Sequence, residues 1–245
     1  MINDKMILNL YEDRFSKKKL STQLLYGDKF KIIKKFKDRL KIKTTYDNYI
    51  GYIAKKKFPE NEKRTHKISV LKANLYSQPR VKSKLNKYIS FCSYIKVNGY
   101  KNKFYNFGKY WIKKRDVTPI KSKIKIFDDI KIFDNIKYKW GGNSHKGIDC
   151  SALVQIFFKF NNTFCPRDTK DQVSFFKTIN KSSIFKKNNL IYWKGHVAIC
   201  LNNNHLIHAY GPKKKVVTMN IKDTVLEIKN KSNLEIISIK KINDI

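Results

Sequence analysis

The chain has 245 residues, with 54 Lys and Arg against 19 Asp and Glu, for a formal net charge of +35. At 41% apolar and 13% aromatic it has the composition of a folded protein, and the length suits one to three domains. No stretch approaches the roughly 18 uncharged apolar residues of a membrane span, which excludes an integral helical membrane protein. The first residues, Met1 to Arg14, carry charges inside their apolar stretch and lack a small-residue cleavage site, unlike a secretory signal. Cysteines at 92, 150, 165 and 200 form no CxxC pair and no metal-ligand spacing. A reducing, cytoplasmic setting is therefore expected rather than a disulfide scaffold, and no metal or organic cofactor is implied.

The charge invites a nucleic-acid reading, but its make-up argues against a specific one. Only six basic residues are Arg, at 14, 39, 64, 80, 115 and 167. Arg supplies the planar fork that reads phosphates and bases. Lys, Ile and Asn together are what an AT-rich genome encodes by default, so most of the charge reads as solvated faces. Salt-sensitive, non-specific attraction to polyanions is expected either way.

The first hundred or so residues read as short strands broken by polar turns. Phe30–Ile33, Leu40–Thr44 and Tyr49–Ile53 alternate as strands, with turns at Tyr26-Gly-Asp28 and Tyr46-Asp-Asn48. A fainter second copy follows at Ile68–Leu71, Ala73–Tyr76, Tyr88–Cys92, Tyr94–Val97 and Tyr110–Ile112. Leu25-Tyr26 parallels Leu75-Tyr76, and Tyr52-Ile53 parallels Trp111-Ile112, which fits two small five-stranded barrels. Leu25-Tyr-Gly-Asp28 and Gly51-Tyr-Ile53 resemble the opening turn and closing strand of bacterial SH3-like domains; Tyr110-Trp-Ile112 is similar without the Gly. The segment from Lys121 to Lys137 reads as a linker followed by a helix.

From Tyr138 the chain changes character. Tyr138-Lys-Trp-Gly-Gly142 leads into Gly147-Ile-Asp-Cys-Ser-Ala-Leu-Val-Gln-Ile-Phe-Phe158. Asp149 is placed to cap an amphipathic helix, with Cys150 in its first turn and residues 150, 153, 154 and 157 on one face. The helix dipole lowers that thiol's pKa and burial raises it, so an activated cysteine needs a basic partner. Leu190–Leu201 and His205–Gly211 read as a hairpin around Asn202-Asn203-Asn204. With a three-residue loop, His208 opposes Ala198 and lies diagonal to His196 on the same face, about 7–8 Å away along the backbone. A two-residue loop would turn it to the other face. The arrangement suits nucleophilic acyl transfer: Cys150 attacks, His196 acts as base and then acid, and His208 orients it. The backbone N–H of Cys150 is a candidate oxyanion donor.

The ordered set aromatic-x-Trp-Gly-Gly, Asp-Cys-Ser, Pro166-Arg-Asp168, Gly195-His-Val-Ala-Ile199 and Ile207-His-Ala209 resembles the NlpC/p60 family of papain-like cysteine peptidases. The resemblance implies an α+β fold, with a papain-like catalytic domain at 122–245 preceded by SH3-like barrels at 14–60 and 66–118. It places Cys150, His196 and His208 on the catalytic positions, and Pro166 to Asp168 with Gln172 on a structural segment. Paired SH3-like domains ahead of such a domain look like the dipeptidyl-peptidase branch. That branch cleaves the γ-D-glutamyl–diamino acid bond of peptidoglycan-derived peptides bearing a free N-terminal L-Ala. Asp149 and Ser151 then match binders of the substrate's α-amine, and Tyr138 a further pocket residue. Asp28, Asp38 and Asp47 are candidates for closing the pocket from the first SH3-like domain. The chain departs from the pattern at Ala152, usually Gly, and at Asn188-Asn189, usually Gly-Asp.

Plainer readings stand beside these. Cys92, Cys165 and Cys200 read as small buried hydrophobes, His66, His145 and His205 as solvated, and Trp140 as packing. Asp149 would serve as a cap whatever else it does. The competing functions are an endopeptidase acting on intact wall, a non-catalytic module for anionic polymers, and a nucleic-acid binder. The oligomeric state is not legible in the sequence.

Overall fold

The computed structural model describes residues 1–15, 19–60, 62–179 and 185–242. Two compact units emerge: Met1–Lys123 with Asn143–His145, and Ile124–Gly142 with Lys146–Ile245. The described residues are mostly strands, with three α-helices that all lie in the second unit.

In the first unit, β1 (Ile7–Tyr11), β2 (Leu20–Leu25), β3 (Phe30–Lys35), β4 (Arg39–Thr44) and β5 (Ile50–Ala54) form an antiparallel sheet in the order β2-β1-β5-β4-β3. Strands β1 and β2 are absent from the sequence reading, and β1 lies ahead of the expected boundary at residue 14. Leu10, Leu24, Phe30, Leu40, Ile42 and Ile53 bury together on one side. The alternating lysines of β3 and β4 leave their charges in water, so the strand period survives a very basic composition. The Tyr26-Gly-Asp28 turn is fixed twice. Gly27 has φ +80°, and a Cβ there would lie 2.1 Å from the Tyr94 carbonyl oxygen. Asp28 Oδ2 accepts the Leu25 N–H at 2.8 Å.

The same unit continues with β6 (His66–Ile68), β7 (Lys72–Tyr76), β8 (Lys84–Ser90), β9 (Tyr94–Ile95), β10 (Gly99–Lys101), β11 (Phe104–Phe107), β12 (Tyr110–Lys113), β13 (Val117–Pro119) and β14 (Asn143–Ser144). Five of these make a second sheet in the order β10-β11-β12-β7-β8, and three more make a sheet β13-β6-β9. The strand expected to run through Cys92 stops at Ser90, because Cys92 takes a left-handed backbone, φ +64°. The strand expected at Ile68–Leu71 ends at Ile68.

The second unit begins without the expected helix in its leading segment. Phe127 and Asn135 both have φ +62°, and between them only a 3-10 turn forms, at Ile130–Phe133. Its rings still reach the core, with Phe127 and Phe133 edge-on to Phe157 at 5.7 and 5.9 Å. Then follow β15 (Gly147–Ile148), α1 (Cys150–Phe160), α2 (Thr169–Phe175), β16 (Lys177–Thr178), β17 (Leu190–Trp193), β18 (His196–Cys200), β19 (His205–Tyr210), β20 (Lys215–Asn220), α3 (Ile221–Ser232) and β21 (Ser238–Lys241). The strands from β16 on form a six-stranded sheet, β16-β21-β17-β18-β19-β20. Helix α1, expected to be amphipathic, has all eleven residues buried. It packs on β18 and β19. Burying its Leu and Phe side chains contributes about 1.5–3 kcal/mol each, which anchors the Cys150 end against the strands bearing the histidines. Among the described residues, no helix is long and apolar enough to cross a membrane.

Candidate active site

Every group of the site belongs to the second unit. The turn ahead of the helix is built on Gly141 and Gly142. Gly141 has φ +68°. A Cβ on Gly142 would lie 2.6 Å from the Gly147 carbonyl oxygen and 2.8 Å from that of Lys139. The tight turn delivers the Gly141 N–H to Asp149 Oδ2 at 2.9 Å. Asp149 caps α1 as expected, its Oδ1 accepting the Ala152 N–H at 2.9 Å.

Asp149 does more than cap. Arg167 grips it in a fork, Nη1 to Oδ1 at 2.9 Å and Nη2 to Oδ2 at 2.6 Å, with both side chains almost wholly buried. Arg167 Nη1 also donates to Ser151 Oγ at 2.9 Å, and Ser151 Oγ lies 3.3 Å from Asp149 Oδ1. Five donors thus converge on the two carboxylate oxygens. Gln172 extends the network, donating to the carbonyls of Ser151 at 3.0 Å and Pro166 at 2.9 Å, and receiving the Tyr192 hydroxyl at 3.3 Å. Buried charge is tolerable only with this degree of satisfaction.

Cys150 lies at the start of α1, buried. Burial pushes its thiol up to about 12, helped by the Asp149 carboxylate; the backbone N–H groups of Val197 and Ser151 and the Arg167 guanidinium oppose that rise. The Val197 amide places the sulfur at the start of β18, one residue from His196. Tyr138, half-buried, packs its ring over Gly211. Burial raises its hydroxyl pKa most, followed by the charges of Cys150 and Asp149.

The hairpin has the three-residue loop. Leu201 donates to the His205 carbonyl at 2.8 Å, and Asn202 Oδ1 accepts the N–H groups of Asn204 and His205. Ile199 pairs with Ile207 and Cys200 with Leu206, a register that sets Ala198 against His208. The two imidazoles meet, His196 Nε2 to His208 Nδ1 at 2.9 Å. His208 is fully buried, and its Nε2 lies 3.4 Å from Met219 Sδ. A thioether only accepts, so His208 carries its hydrogen on Nε2. Its Nδ1 therefore accepts from His196 Nε2–H, which leaves His196 Nδ1 as the nitrogen with a free lone pair. Burial lowers His196 to about 4 and holds His208 well below the usual histidine range. Tyr210 stacks flat on His208, centroids 4.5 Å apart and planes 13° apart, and fixes the ring.

Several residues differ from the sequence reading. Trp140, expected to pack, is 70% exposed. His145, expected to be solvated, shares a 2.7 Å hydrogen bond with Ser90 Oγ, and half-buried His66 bonds Thr65 and lies against the Tyr105 ring. The three carboxylates proposed as pocket closers are engaged within the first unit. Asp28 closes its own turn, Asp38 lies 3.6 Å from Arg14 and 3.7 Å from Arg39, and Asp47 bonds Thr44. Asn188, standing where the resembled pattern has Gly, adopts φ +69°, so the turn keeps its left-handed residue with an Asn. The sequence reading gave Arg167 only a structural place and did not single out Met219 or Tyr210. Parity along β19 puts Tyr210 on the His208 face; nothing local marks the other two.

Comparison with known proteins gives the same fold. Residues 135–231 match the NlpC/P60 family, and residues 15–58 match the bacterial dipeptidyl-peptidase Sh3 domain. The chain is 26% identical to a gamma-D-glutamyl-L-lysine dipeptidyl-peptidase of Bacillus subtilis strain 168, over 54% of this chain and 48% of that protein. It is 27% identical to a protein of the same name from Bacillus cereus, over 81% of this chain and 69% of the relative. The match thus spans about half of one relative's length and over two thirds of the other's. A crystal structure of an NlpC/P60 family protein from Bacillus cereus ATCC 10987 superposes with a TM-score of 0.81 at 19% identity, covering 98% of both chains. A buried cysteine at a helix start, a hydrogen-bonded histidine pair on the adjoining hairpin and these matches agree: the chain carries a domain of the NlpC/P60 family, preceded by an SH3 domain of the bacterial dipeptidyl-peptidase type.

Proposed function

We propose that the protein is a cysteine peptidase that hydrolyses the γ-D-glutamyl–diamino acid bond of peptidoglycan-derived peptides. Support comes from the relatives named for that bond and from one geometric observation. The 2.9 Å His196–His208 bond frees His196 Nδ1 one residue from the amide that faces the Cys150 sulfur. In the proposed reaction Cys150 Sγ bonds to the γ-glutamyl carbonyl carbon while His196 Nδ1 takes the thiol proton. The oxyanion forms beside the Cys150 N–H at the positive end of α1. Collapse breaks the C–N bond, and His196 returns the proton to the leaving amine. Water, deprotonated by His196, then cleaves the thioester and restores the thiol. Four buried thiols fit a reducing cytoplasm, where such an enzyme would recycle free wall peptides.

A second reading concerns the substrate's amine. Asp149 and Ser151 were expected to hold a free N-terminus, yet both already face donors within the fold. If that network stays closed, N-acylated peptides are substrates too, as for an enzyme working on intact wall. Incubation with L-Ala-γ-D-Glu-meso-diaminopimelate and its N-acetylated twin, read by mass spectrometry, separates the readings. Cleavage of the free peptide alone supports the recycling enzyme. Cleavage of both supports the wall endopeptidase. Cleavage of neither removes the peptidase proposal for this bond.

A further inference from the structure

His208 is held from two sides, and one of its partners is oxidisable. Its Nδ1 meets His196 Nε2 at 2.9 Å, and its Nε2 lies 3.4 Å from Met219 Sδ. Met219 stands on β20, opposite Leu206 and diagonal to His208. Among the described residues β20 ends the six-stranded sheet, and Met219 is only partly buried. His208 is fully buried and stacked on Tyr210. The oxidisable atom is thus on the edge strand, and the ring that depends on it is packed in place.

The other oxidisable groups are placed differently. The chain's other methionines, Met1 and Met6, belong to the first unit. All four cysteines are buried, and burial pushes the thiols of Cys150 and Cys200 up to about 12, away from the thiolate that peroxides attack. A thioether has no proton to lose and gains no such protection.

Oxidation changes what His208 meets. A peroxide transfers one oxygen to the sulfur and leaves as water or an alcohol, giving the sulfoxide. An oxygen in line with the hydrogen bond needs an N–H···O spacing of about 2.9 Å plus the S–O bond, more than the 3.4 Å present. An oxygen turned away leaves an electron-poor sulfur facing the Nε2–H. Either way the thioether acceptor is lost. The neutral pair answers by exchanging tautomers: His208 carries its hydrogen on Nδ1 and donates it to His196 Nε2, and His196 carries its own on Nδ1. In the proposed reaction, on which this inference rests, that is the nitrogen that takes the Cys150 proton.

We propose that Met219 is a positioning residue and an oxidation site: peroxide converts it to the sulfoxide, flips the histidine pair and switches the peptidase off reversibly.

The test is to treat the full chain with dilute hydrogen peroxide, quench with catalase and reduce with excess dithiothreitol, which restores reversibly oxidised thiols. Peptide mapping is expected to place a sulfoxide on Met219. The kcat for L-Ala-γ-D-Glu-meso-diaminopimelate should fall at least ten-fold with KM little changed, and methionine sulfoxide reductases A and B together should restore it. NMR of the histidine ring nitrogens should show the His208 hydrogen moved from Nε2 to Nδ1. Met219→Leu, which keeps the bulk and removes the acceptor, should show that tautomer and the lower kcat before any peroxide, and lose nothing further with it. Met6→Leu should keep the parent's sensitivity. The NMR signature is read whether or not the peptide is a substrate, so failure of the peptidase proposal is distinguished from failure of this one. An unchanged tautomer in the sulfoxide, an equal peroxide loss in Met219→Leu and the parent, or full recovery by dithiothreitol alone would overturn the proposal.

Discussion

Asp149 and Cys150 are neighbours in the chain, and the fold treats them in opposite ways. Asp149 is given five donors, including a bidentate guanidinium, and is held as a buried, satisfied charge. Cys150 is buried without comparable support, and its thiolate is disfavoured accordingly. The histidines are treated like the cysteine: burial keeps both neutral at ordinary pH. One cluster is electrically saturated and holds the helix start in place. The other is left short of compensation, so a proton moved within it changes the local energy strongly. Rigidity and reactivity are thus divided between adjacent residues.

The largest expected effect breaks the reactive side. Cys150→Ala should reduce turnover of the free peptide by at least about 10⁴-fold, because loss of a nucleophile leaves only binding and oxyanion help. Its thermal melt should stay close to that of the parent. Breaking the saturated side should do the reverse. Arg167→Met leaves Asp149 buried and unpaired, which costs about 3–5 kcal/mol, measurable by urea unfolding.

Within the reactive cluster, His208 acts through His196. His208→Leu should lower kcat by about 10²–10³-fold, within the range for assisted proton transfer. His208→Asn, which keeps an acceptor for His196 Nε2–H, should recover part of that loss; equal loss in both variants would remove the orienting role. The smallest effect is in the pH profile. His196, lowered to about 4, stays a neutral base well below the ordinary histidine value of 6.5, so the acid limb of kcat/KM should fall nearer pH 4 than 6.5. The unfolded chain binds more protons at His196 than the folded one between these values, so this group makes stability rise with pH from about 4 to 6.5 and level off above. A stability curve flat across that window would contradict the burial of the base.

What was legible in the sequence was what local rules decide. Asp149 as a cap, Cys150 in the first helical turn and the facing of His196 and His208 all follow from spacing along one helix and one hairpin. The register needed only a loop length, which the Asn202-Asn203-Asn204 run left open between two and three residues and which the structure shows to be three. The missing pieces are contacts between segments far apart in the chain. Arg167 reaches Asp149 across 18 positions, and Met219 fixes a tautomer from a neighbouring strand; neither leaves a local pattern. Backbone exceptions hid the rest. Left-handed Cys92 cut a strand short, Phe127 and Asn135 reduced a predicted helix to one 3-10 turn, and Asn188 kept a turn whose Gly was absent. Strand β1 leaves little trace in the sequence because charged neighbours frame a short apolar run.

The central claim is that Cys150 forms the acyl bond. Acid quench during turnover of L-Ala-γ-D-Glu-meso-diaminopimelate, followed by peptide mapping with mass spectrometry, reads it directly. An L-Ala-γ-D-Glu acyl group on the peptide containing Cys150, absent in Cys150→Ala, is the predicted result. Turnover that persists in Cys150→Ala, or an acyl group found on another residue, would contradict it.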